Sequence, residues 1–347
     1  MPEPEDFRDR IEGVLLGTAI GDALGLPMEG MGARAIARSF AKLDRYFLLG
    51  KTGFVSDDTE QTALVAQSLA RNPRRVDAFV GAFRRALLGW FLRLPWGIGL
   101  GTLRACVRIS LGLRNSGVRS AGNGAAMRAA IVGAFFCDAP AERAAWADAL
   151  SRVTHTDVRA VQGARFVAEL ASRCVVHGPK VARGMLVRDA RAVIDEPSLC
   201  AGIERACALE SDGVSMDLAA AELGNTGFVL HTTALATFAF LRFGDDPERA
   251  MVETIRAGGD TDSNAAIVGA WAGALHGARG LPARLVDRLH DGPFGPTHLR
   301  ALAADLACAR SGEPVARASY SWIAALVRNL VLYPVVLAHA VRVFCRR

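Results

Sequence analysis

The chain has 347 residues, of which 51% are hydrophobic and 22% are charged. This balance excludes an intrinsically disordered chain and suffices for a large buried core. The net charge of +6 comes from scattered arginines, so we expect no specific nucleic-acid partner. The seven cysteines form no Cys-x-x-Cys pair, and the acidic start lacks the apolar segment of a signal peptide. We therefore expect a cytoplasmic location.

Apolar residues recur with helical spacing along nearly the whole chain. Alanine is abundant in these segments, and clusters of β-branched residues are almost absent, which favours helix over strand. The sequence therefore predicts an all-α fold, with a single globular multi-helix domain over residues 1–310. In chain order, its clearest helices are predicted over residues 11–26, 57–69, 79–90, 124–137, 140–153, 157–175, 229–242, 263–276 and 296–309.

A segment of different character follows residue 310. Ser311-Gly312-Glu313-Pro314 interrupts the helical pattern, and residues 322–343 are then largely apolar, with Pro334 in the middle. Polar residues interrupt this run too often for a membrane-spanning helix; they are Arg328, Asn329, His339 and Arg342. We predict that residues 311–347 form a C-terminal apolar helical extension, kinked at the proline. We favour packing on the domain or on a second subunit, and the alternative is an interfacial membrane anchor that ends in the cations Arg346 and Arg347.

Two acidic motifs open two of the predicted helices. They are Ser56-Asp57-Asp58-Thr59, before the helix that runs to Leu69, and Gly258-Gly259-Asp260-Thr261-Asp262-Ser263, before the helix that runs to Leu275. Helix capping explains either motif alone, because short polar residues bond free amides and acids complement the helix dipole. Capping explains the two together less well, since a cap needs one such residue and paired carboxylates repel each other unless a cation lies between them.

Hard divalent cations are typical partners of such motifs. Mg²⁺ takes oxygen ligands, usually carboxylates and waters, with hydroxyl or carbonyl oxygens in addition. If the two helix starts face each other, their four carboxylates and two hydroxyls can hold two metal ions in a centre that activates water. No histidine adjoins either motif, which argues against zinc.

With these motifs the chain resembles the ADP-ribosylglycohydrolase family, all-α enzymes of the dinitrogenase-reductase-activating glycohydrolase type with a binuclear magnesium or manganese centre. The matching motifs follow one another in order over about residues 10–280. They are the glycine-rich segments 13–17 and 21–25 with Glu29, the first acidic motif, residues 122–128, Thr154-His155, and the second acidic motif with residues 265–269. The residues after about 311 lie outside the resemblance.

The resemblance implies roles for the acidic residues. The metal ligands would be Ser56, Asp57, Asp58, Asp260, Asp262 and Ser263, with serine at positions 56 and 263 where the family usually has threonine. Glu29 matches an acid that lies beside the metals and assists the reaction in part of the family, and Asp58 is the second candidate for proton transfer. The alternative for Glu29 is a solvated acid at a helix end.

The stretch 122–128 is interpreted as a phosphate cradle, because glycines allow close backbone approach and a following helix offers free amides to a pyrophosphate. Its alternative is a plain turn into a buried helix. His155 is expected to hydrogen-bond a ribose, and its alternative is a capping or core histidine. The residues that the resemblance implies for substrate binding are Gly122, Asn123, Gly124, Met127, Arg128 and His155.

Two departures from the family pattern limit the prediction. An arginine-specific branch has an aspartate ahead of the glycine loop, whereas the best match here, Gly97-Ile98-Gly99, has no carboxylate and leaves the linkage open. The first acidic motif continues with Glu60-Gln61 rather than the Ala-Met common in relatives.

The resemblance implies a hydrolase that uses two Mg²⁺ or Mn²⁺ ions to cleave the bond between ADP-ribose and its acceptor. The expected partner is therefore an ADP-ribosylated protein or a small ADP-ribose conjugate. Two alternatives stay open: a metal-dependent hydrolase of another nucleotide-sugar or glycoside, and a non-catalytic ADP-ribose-binding protein on the same fold.

Overall fold

The computed structural model describes residues 3–344. Over this part of the chain the secondary structure consists of α-helices and short 3₁₀ turns, with isolated β-bridges and no strand. The all-α prediction is confirmed, including the C-terminal apolar helix. The helices are α1 (Pro4–Gly25), α2 (Ala33–Ser39), α3 (Asp57–Arg71), α4 (Val76–Phe91), α5 (Leu100–Ser110), α6 (Ala130–Phe135), α7 (Pro140–Arg152), α8 (Val158–His177), α9 (Arg183–Arg191), α10 (Pro197–Ser211), α11 (Met216–Leu223), α12 (Val229–Phe243), α13 (Pro247–Arg256), α14 (Thr261–His276), α15 (Ala283–Val286), α16 (Pro296–Ser311) and α17 (Trp322–Phe344).

The helix predicted over residues 124–137 is much shorter in the structure. A 3₁₀ turn at Asn123–Ala125 comes first, and α6 begins only at Ala130. The Asn123 amide N–H donates to the Gly227 carbonyl oxygen at 2.9 Å, so the chain is held by tertiary hydrogen bonds at this point. Periodicity reports burial along a segment and does not register such bonds.

Helices α1 and α14 pack antiparallel in the core with their backbones in contact. A Cβ atom built on Gly17 would lie 2.0 Å from the Gly269 carbonyl oxygen, so only glycine permits this approach. The same packing places the end of α1 against the start of α14, where a Cβ on Gly25 would lie 2.5 Å from the Asp262 Cα. The small residues that recur every four positions along this contact are Gly13, Gly17, Gly21, Ala265, Gly269 and Gly273.

Helix α17 docks on the domain through a buried charged cluster. Glu60 of α3 forms ion pairs with Arg328 of α17 and with Arg93, which follows α4. The Asn329 side-chain amide donates to the Arg93 carbonyl oxygen at 2.9 Å. One face of the extension therefore packs on the domain beside the start of α3. The predicted interfacial cations Arg346 and Arg347 lie outside the described residues.

Candidate active site

The start of α3 is capped by an acid from another helix. Asp22 of α1 accepts hydrogen bonds from the backbone amides of Ser56 and Thr59, at 2.9 and 3.1 Å. Both hydroxyls also donate to its carboxylate, at 2.7 Å for Ser56 and 2.5 Å for Thr59. Ser56 itself makes no side-chain cap. Asp22 thus performs the capping that the sequence assigned to the first acidic motif, and Asp57 and Asp58 are left for another role.

The two acidic motifs face each other, as the prediction of a shared centre requires. The Ser263 hydroxyl of α14 donates to the Asp58 Oδ2 atom of α3 at 3.1 Å. The other Asp58 oxygen, Oδ1, is buried and has no hydrogen-bond partner among the described residues. Because a buried carboxylate oxygen without a partner is unfavourable, this atom indicates a position that a ligand can satisfy.

The second acidic motif is fixed by the loops around it. Gly258 and Gly259 have φ angles of 72° and 79°, which turn the chain sharply before α14. The Gly259 amide donates to the Met31 carbonyl and the Gly30 amide donates to the Gly259 carbonyl, both at 2.8 Å. This pair of hydrogen bonds holds the segment that carries Glu29 beside the start of α14.

A cavity of about 600 Å³ opens between these elements. Glycines 97, 99, 101, 122, 124, 227 and 259 form much of its wall, which leaves backbone accessible to a ligand. Ser56, Asp58 and Arg128 lie outside the lining. The predicted site residues that do line it are Glu29, Asp57, Gly122, Asn123, Gly124, Met127, His155, Asp260, Asp262 and Ser263.

Burial and mutual repulsion favour the protonated form of the clustered acids. Desolvation raises the pKa of Asp57 well above its ordinary value, and the neighbouring Asp58 and Asp22 raise it further. Asp58 and Asp262 are shifted in the same direction, again first by desolvation and then by nearby carboxylates. Such repulsion indicates a site completed by positive charge.

The donor atoms at this site fit a hard divalent cation. They are carboxylate and hydroxyl oxygens, the ligands that Mg²⁺ and Mn²⁺ prefer, and one of them is the buried Asp58 oxygen without a partner. As the side chains of residues 3–344 are placed, no three His, Cys, Asp or Glu groups converge on one ion position. Ion binding would therefore draw these side chains together.

The glycine-rich stretch holds the second acidic motif as well as lining the cavity. The Asn123 side-chain amide donates to the Asp260 Oδ2 atom at 2.7 Å and to the Thr232 hydroxyl at 3.0 Å. The Asn123 backbone amide is already bonded, and the helix expected to offer free amides begins only at Ala130. The expectation of a helix start at this cradle is therefore wrong, and the accessible parts are the glycine backbone of the turn.

His155 lies against this glycine wall as a neutral ring. Burial lowers its pKa to about 3, and Arg128 contributes in the same direction. Its Nδ1 atom is 2.7 Å from the Thr154 hydroxyl. A Cβ built on Gly101 would lie 2.7 Å from its Nε2 atom, so the ring fills the space beside a bare backbone. An uncharged imidazole at the cavity wall can hydrogen-bond a sugar hydroxyl.

Arg128 is placed below the cavity wall. Its guanidinium donates to the Gln61 side chain at 2.5 Å and to the Thr154 hydroxyl at 2.6 Å. Gln61 in turn donates to the Asp57 Oδ2 atom at 3.1 Å. The structure thus gives Gln61 a position between Arg128 and Asp57, and its neighbour Glu60 holds α17. Direct substrate contact by Arg128 stays a prediction.

The sequence reasoning did not assign roles to Asp22 and Trp96. Asp22 carries a usable signal, because an acid on an otherwise apolar helix face must find buried partners. Trp96 carries no such signal, because its position depends on contacts with residues far away in the sequence. It packs edge-to-face on Tyr333 of α17 at 5.1 Å between ring centroids, and it lies near enough to Glu29 to lower the pKa of that acid. The adjacent Gly97, at φ 86°, approaches so closely that a Cβ there would lie 2.5 Å from the Asp57 Oδ1 atom.

Fold and site together define an all-α protein that holds clustered carboxylates against a glycine-rich wall. The chain belongs to the ADP-ribosylglycohydrolase family, whose model matches residues 3–315. This membership supports a hydrolase of ADP-ribosyl linkages, and an ADP-ribosylated molecule as the kind of partner.

Relatives cover most of the chain. An uncharacterized protein of Archaeoglobus fulgidus is 32% identical over 83% of this chain and 94% of its own length. The ADP-ribosyl-[dinitrogen reductase] glycohydrolase of Rhodospirillum rubrum is 25% identical over 81% of this chain and 90% of its own. A solved structure described as an ADP-ribosylglycohydrolase-related protein complex superposes with a TM-score of 0.65 at 26% identity, covering 88% of this chain and 99% of that one.

Proposed function

We propose that this protein is a metal-dependent ADP-ribosylglycohydrolase that releases ADP-ribose from a protein side chain or small acceptor. The observation that carries the proposal is the Ser263–Asp58 hydrogen bond, which joins the two acidic helix starts beside a glycine-walled cavity. Family membership supports the class of reaction. The binuclear centre and the roles of individual residues are part of the proposal.

Two Mg²⁺ or Mn²⁺ ions would be held by Ser56, Asp57 and Asp58 from α3 and by Asp260, Asp262 and Ser263 from α14. Bound there, such ions supply positive charge that balances the carboxylates and lowers the pKa of water. Asp22 positions the start of α3 through its hydrogen bonds to Ser56 and Thr59. Asn123 does the same for Asp260.

Glu29 is our candidate for moving the proton. It is exposed at the cavity, where partial desolvation and then Asp260 and Asp22 raise its pKa, and the nearby Trp96 side chain opposes this shift. A carboxyl group whose pKa is raised toward neutral pH is suited to general acid–base catalysis. Asp58, the other candidate, is fully buried and does not line the cavity. Glu29 is therefore the better placed of the two.

The reaction is a hydrolysis through an oxocarbenium-like transition state at the anomeric carbon of the ribose. The water oxygen bonds to that carbon while the bond to the acceptor atom breaks. Glu29 takes one proton from the water and passes it to the leaving acceptor atom, so no other reactant is needed. His155 would hydrogen-bond a ribose hydroxyl, and the glycine backbone around Asn123 would receive the pyrophosphate.

The test is release of free ADP-ribose from ADP-ribosyl-arginine, ADP-ribosyl-serine and O-acetyl-ADP-ribose, each with Mg²⁺, Mn²⁺ or a chelator. We expect chelator-sensitive release from at least one, which names the linkage. Asp57→Asn is expected to lower that rate about a thousandfold or more, because it removes a ligand charge beside the reacting centre. Asp217→Asn, an exposed acid in the first turn of α11, is the matched control and is expected to retain the rate. Release that persists in chelator, or in the Asp57 variant, would contradict the proposal.

A further inference from the structure

Helix α17 has two faces of different chemistry. Its buried residues recur every three or four positions and so form one stripe. Within this stripe, Arg328 pairs with Glu60, and Asn329 bonds the Arg93 carbonyl oxygen. The stripe consists of Ala325, Arg328, Asn329, Leu332, Val336 and Val343. One face of the helix is therefore fixed to the domain by polar contacts.

The opposite face is apolar and has no partner in the described chain. Ile323 is 70% exposed and Leu337 is 64% exposed, with Val327, Leu330 and Val341 each more than half exposed. Between residues 3 and 344, two helical segments are long and apolar enough to cross a membrane, Glu5–Met28 and Trp322–Val343. The first is a core helix, 94% buried, whereas only 22% of the second is buried. So much exposed apolar surface on one helix indicates an interaction face.

Exposed apolar residues also occur in the loops that contact α17. Leu92 and Leu94 flank Arg93, whose carbonyl oxygen accepts from Asn329, and they are 59% and 53% exposed. Leu49 is also half exposed and lines a shallow groove with Ala338. At the groove with Leu49, the apolar surface therefore includes residues outside the helix.

Charge distinguishes between the two partners that such an apolar face could bind, a second copy of the chain or a membrane surface. The sequence contains no acidic residue after Glu313, whereas five arginines follow it. Arg328 is neutralised by Glu60, and Arg317 and Arg342 are exposed. In a symmetric dimer, this cationic segment would face its own copy, which contains no negative charge to pair with the arginines. An anionic phospholipid surface supplies both the apolar phase and the negative charge.

We propose that the exposed face of α17 binds the surface of membranes that contain anionic phospholipid. The helix lies along the surface and does not span it, because spanning would pull Arg328 and Asn329 into hydrocarbon and would deprive the buried Glu60 of its main partner. This inference is independent of the proposed hydrolase activity. It combines the two alternatives that the sequence left open, since one face packs on the domain and the other is free for lipid.

The test is flotation of the purified full-length protein with vesicles of phosphatidylethanolamine and phosphatidylglycerol, and with vesicles of phosphatidylcholine alone. We expect binding to the anionic vesicles that weakens at high salt. The variant Ile323→Ser/Val327→Ser/Leu337→Ser changes only exposed side chains of the face and is expected to bind at least about tenfold more weakly. The matched control is Leu111→Ser/Val158→Ser/Leu218→Ser, three residues of similar exposure outside this face, which is expected to bind like the unchanged protein.

Other outcomes overturn the proposal. Absence of binding to anionic vesicles would do so, as would an equal loss in both triple variants. Light scattering of the protein without lipid tests the second copy as occupant. A dimer that the α17 variant loses and the control retains, together with no vesicle binding, would assign the face to self-association instead.

Discussion

At the scale of single residues, the proposed role of Glu29 is the most directly testable. It lines the cavity beside the second acidic motif, and Trp96 is close enough to lower its pKa. We expect Glu29→Gln to lower kcat by about a hundredfold or more, because the amide cannot take a proton from water. The amide keeps the size of the side chain, so thermal stabilisation by Mn²⁺ should persist.

The control for this variant is Glu204→Gln, an exposed acid that pairs with Arg191 on the surface. Its turnover should equal that of the unchanged protein. Full turnover in Glu29→Gln would show that Glu29 is not needed in the mechanism and that another group transfers the proton.

His298 makes stability depend on pH at a place remote from the reaction. Both of its ring nitrogens are buried without hydrogen-bond partners in the described chain, and burial lowers its pKa to about 4 against the pull of Asp305. Between that value and about pH 6.5 the unfolded chain binds the proton and the folded one does not, so stability falls as the pH falls through this window.

We therefore expect His298→Phe to be more stable than the unchanged protein by about 2 kcal/mol at pH 5, and to differ less at pH 7. Urea unfolding at the two pH values measures this difference. His177→Phe, which replaces an exposed histidine, is the control and should leave the pH dependence unchanged. An equal effect of His298→Phe at both pH values would contradict the linkage.

At the scale of the helix, the contact between α17 and α3 depends on one buried ion pair. Arg328 is almost fully buried against Glu60, and burial lowers its pKa to about 10, which still leaves it charged at neutral pH. Replacing Arg328 by Met leaves the buried Glu60 with only Arg93, whose nearest nitrogen is 3.8 Å away. We expect a loss of about 3–5 kcal/mol in the free energy of unfolding, since one charge is left without its main partner.

The double variant Arg328→Met/Glu60→Gln separates charge from packing. If the unpaired carboxylate causes the loss, the neutral amide should restore part of the stability measured by urea unfolding. A double variant no more stable than Arg328→Met alone would show that the arginine acts through packing. Limited proteolysis after residue 311 would report whether α17 has left the domain.

The sequence predicted the long helices and the acidic motifs because both have local causes. Helical periodicity records burial along one segment, and the pairs at Asp57-Asp58 and Asp260-x-Asp262 are visible as letters. Contacts between distant segments were not predictable in this way. Asp22 caps α3 from another helix, and Glu60 gains its meaning only from Arg328, far along the chain. Trp96 likewise depends on Tyr333.

For the whole molecule, repulsion among the clustered carboxylates opposes folding, and the proposed cations would relieve it. Anything that binds only the folded chain stabilises it, by about 2.7 kcal/mol at a hundred times its dissociation constant. We therefore expect the thermal midpoint to rise with Mg²⁺ or Mn²⁺ concentration. In chelator, Asp262→Asn should be at least as stable as the unchanged protein, because it removes one buried charge from the cluster.

The same variant should lose most of the rise with added ion, since Asp262 is a proposed ligand, whereas Asp217→Asn should retain it. Scanning calorimetry of the three proteins with and without Mn²⁺ measures both effects. If Asp262→Asn is destabilised in chelator and keeps the full rise, the cluster is a structural network, and the two acidic helix starts hold the domain together without a metal. If Asp262→Asn is as stable as the unchanged protein in chelator and loses the rise with added ion, the repulsion that destabilises the metal-free protein comes from the same carboxylates that bind the ion.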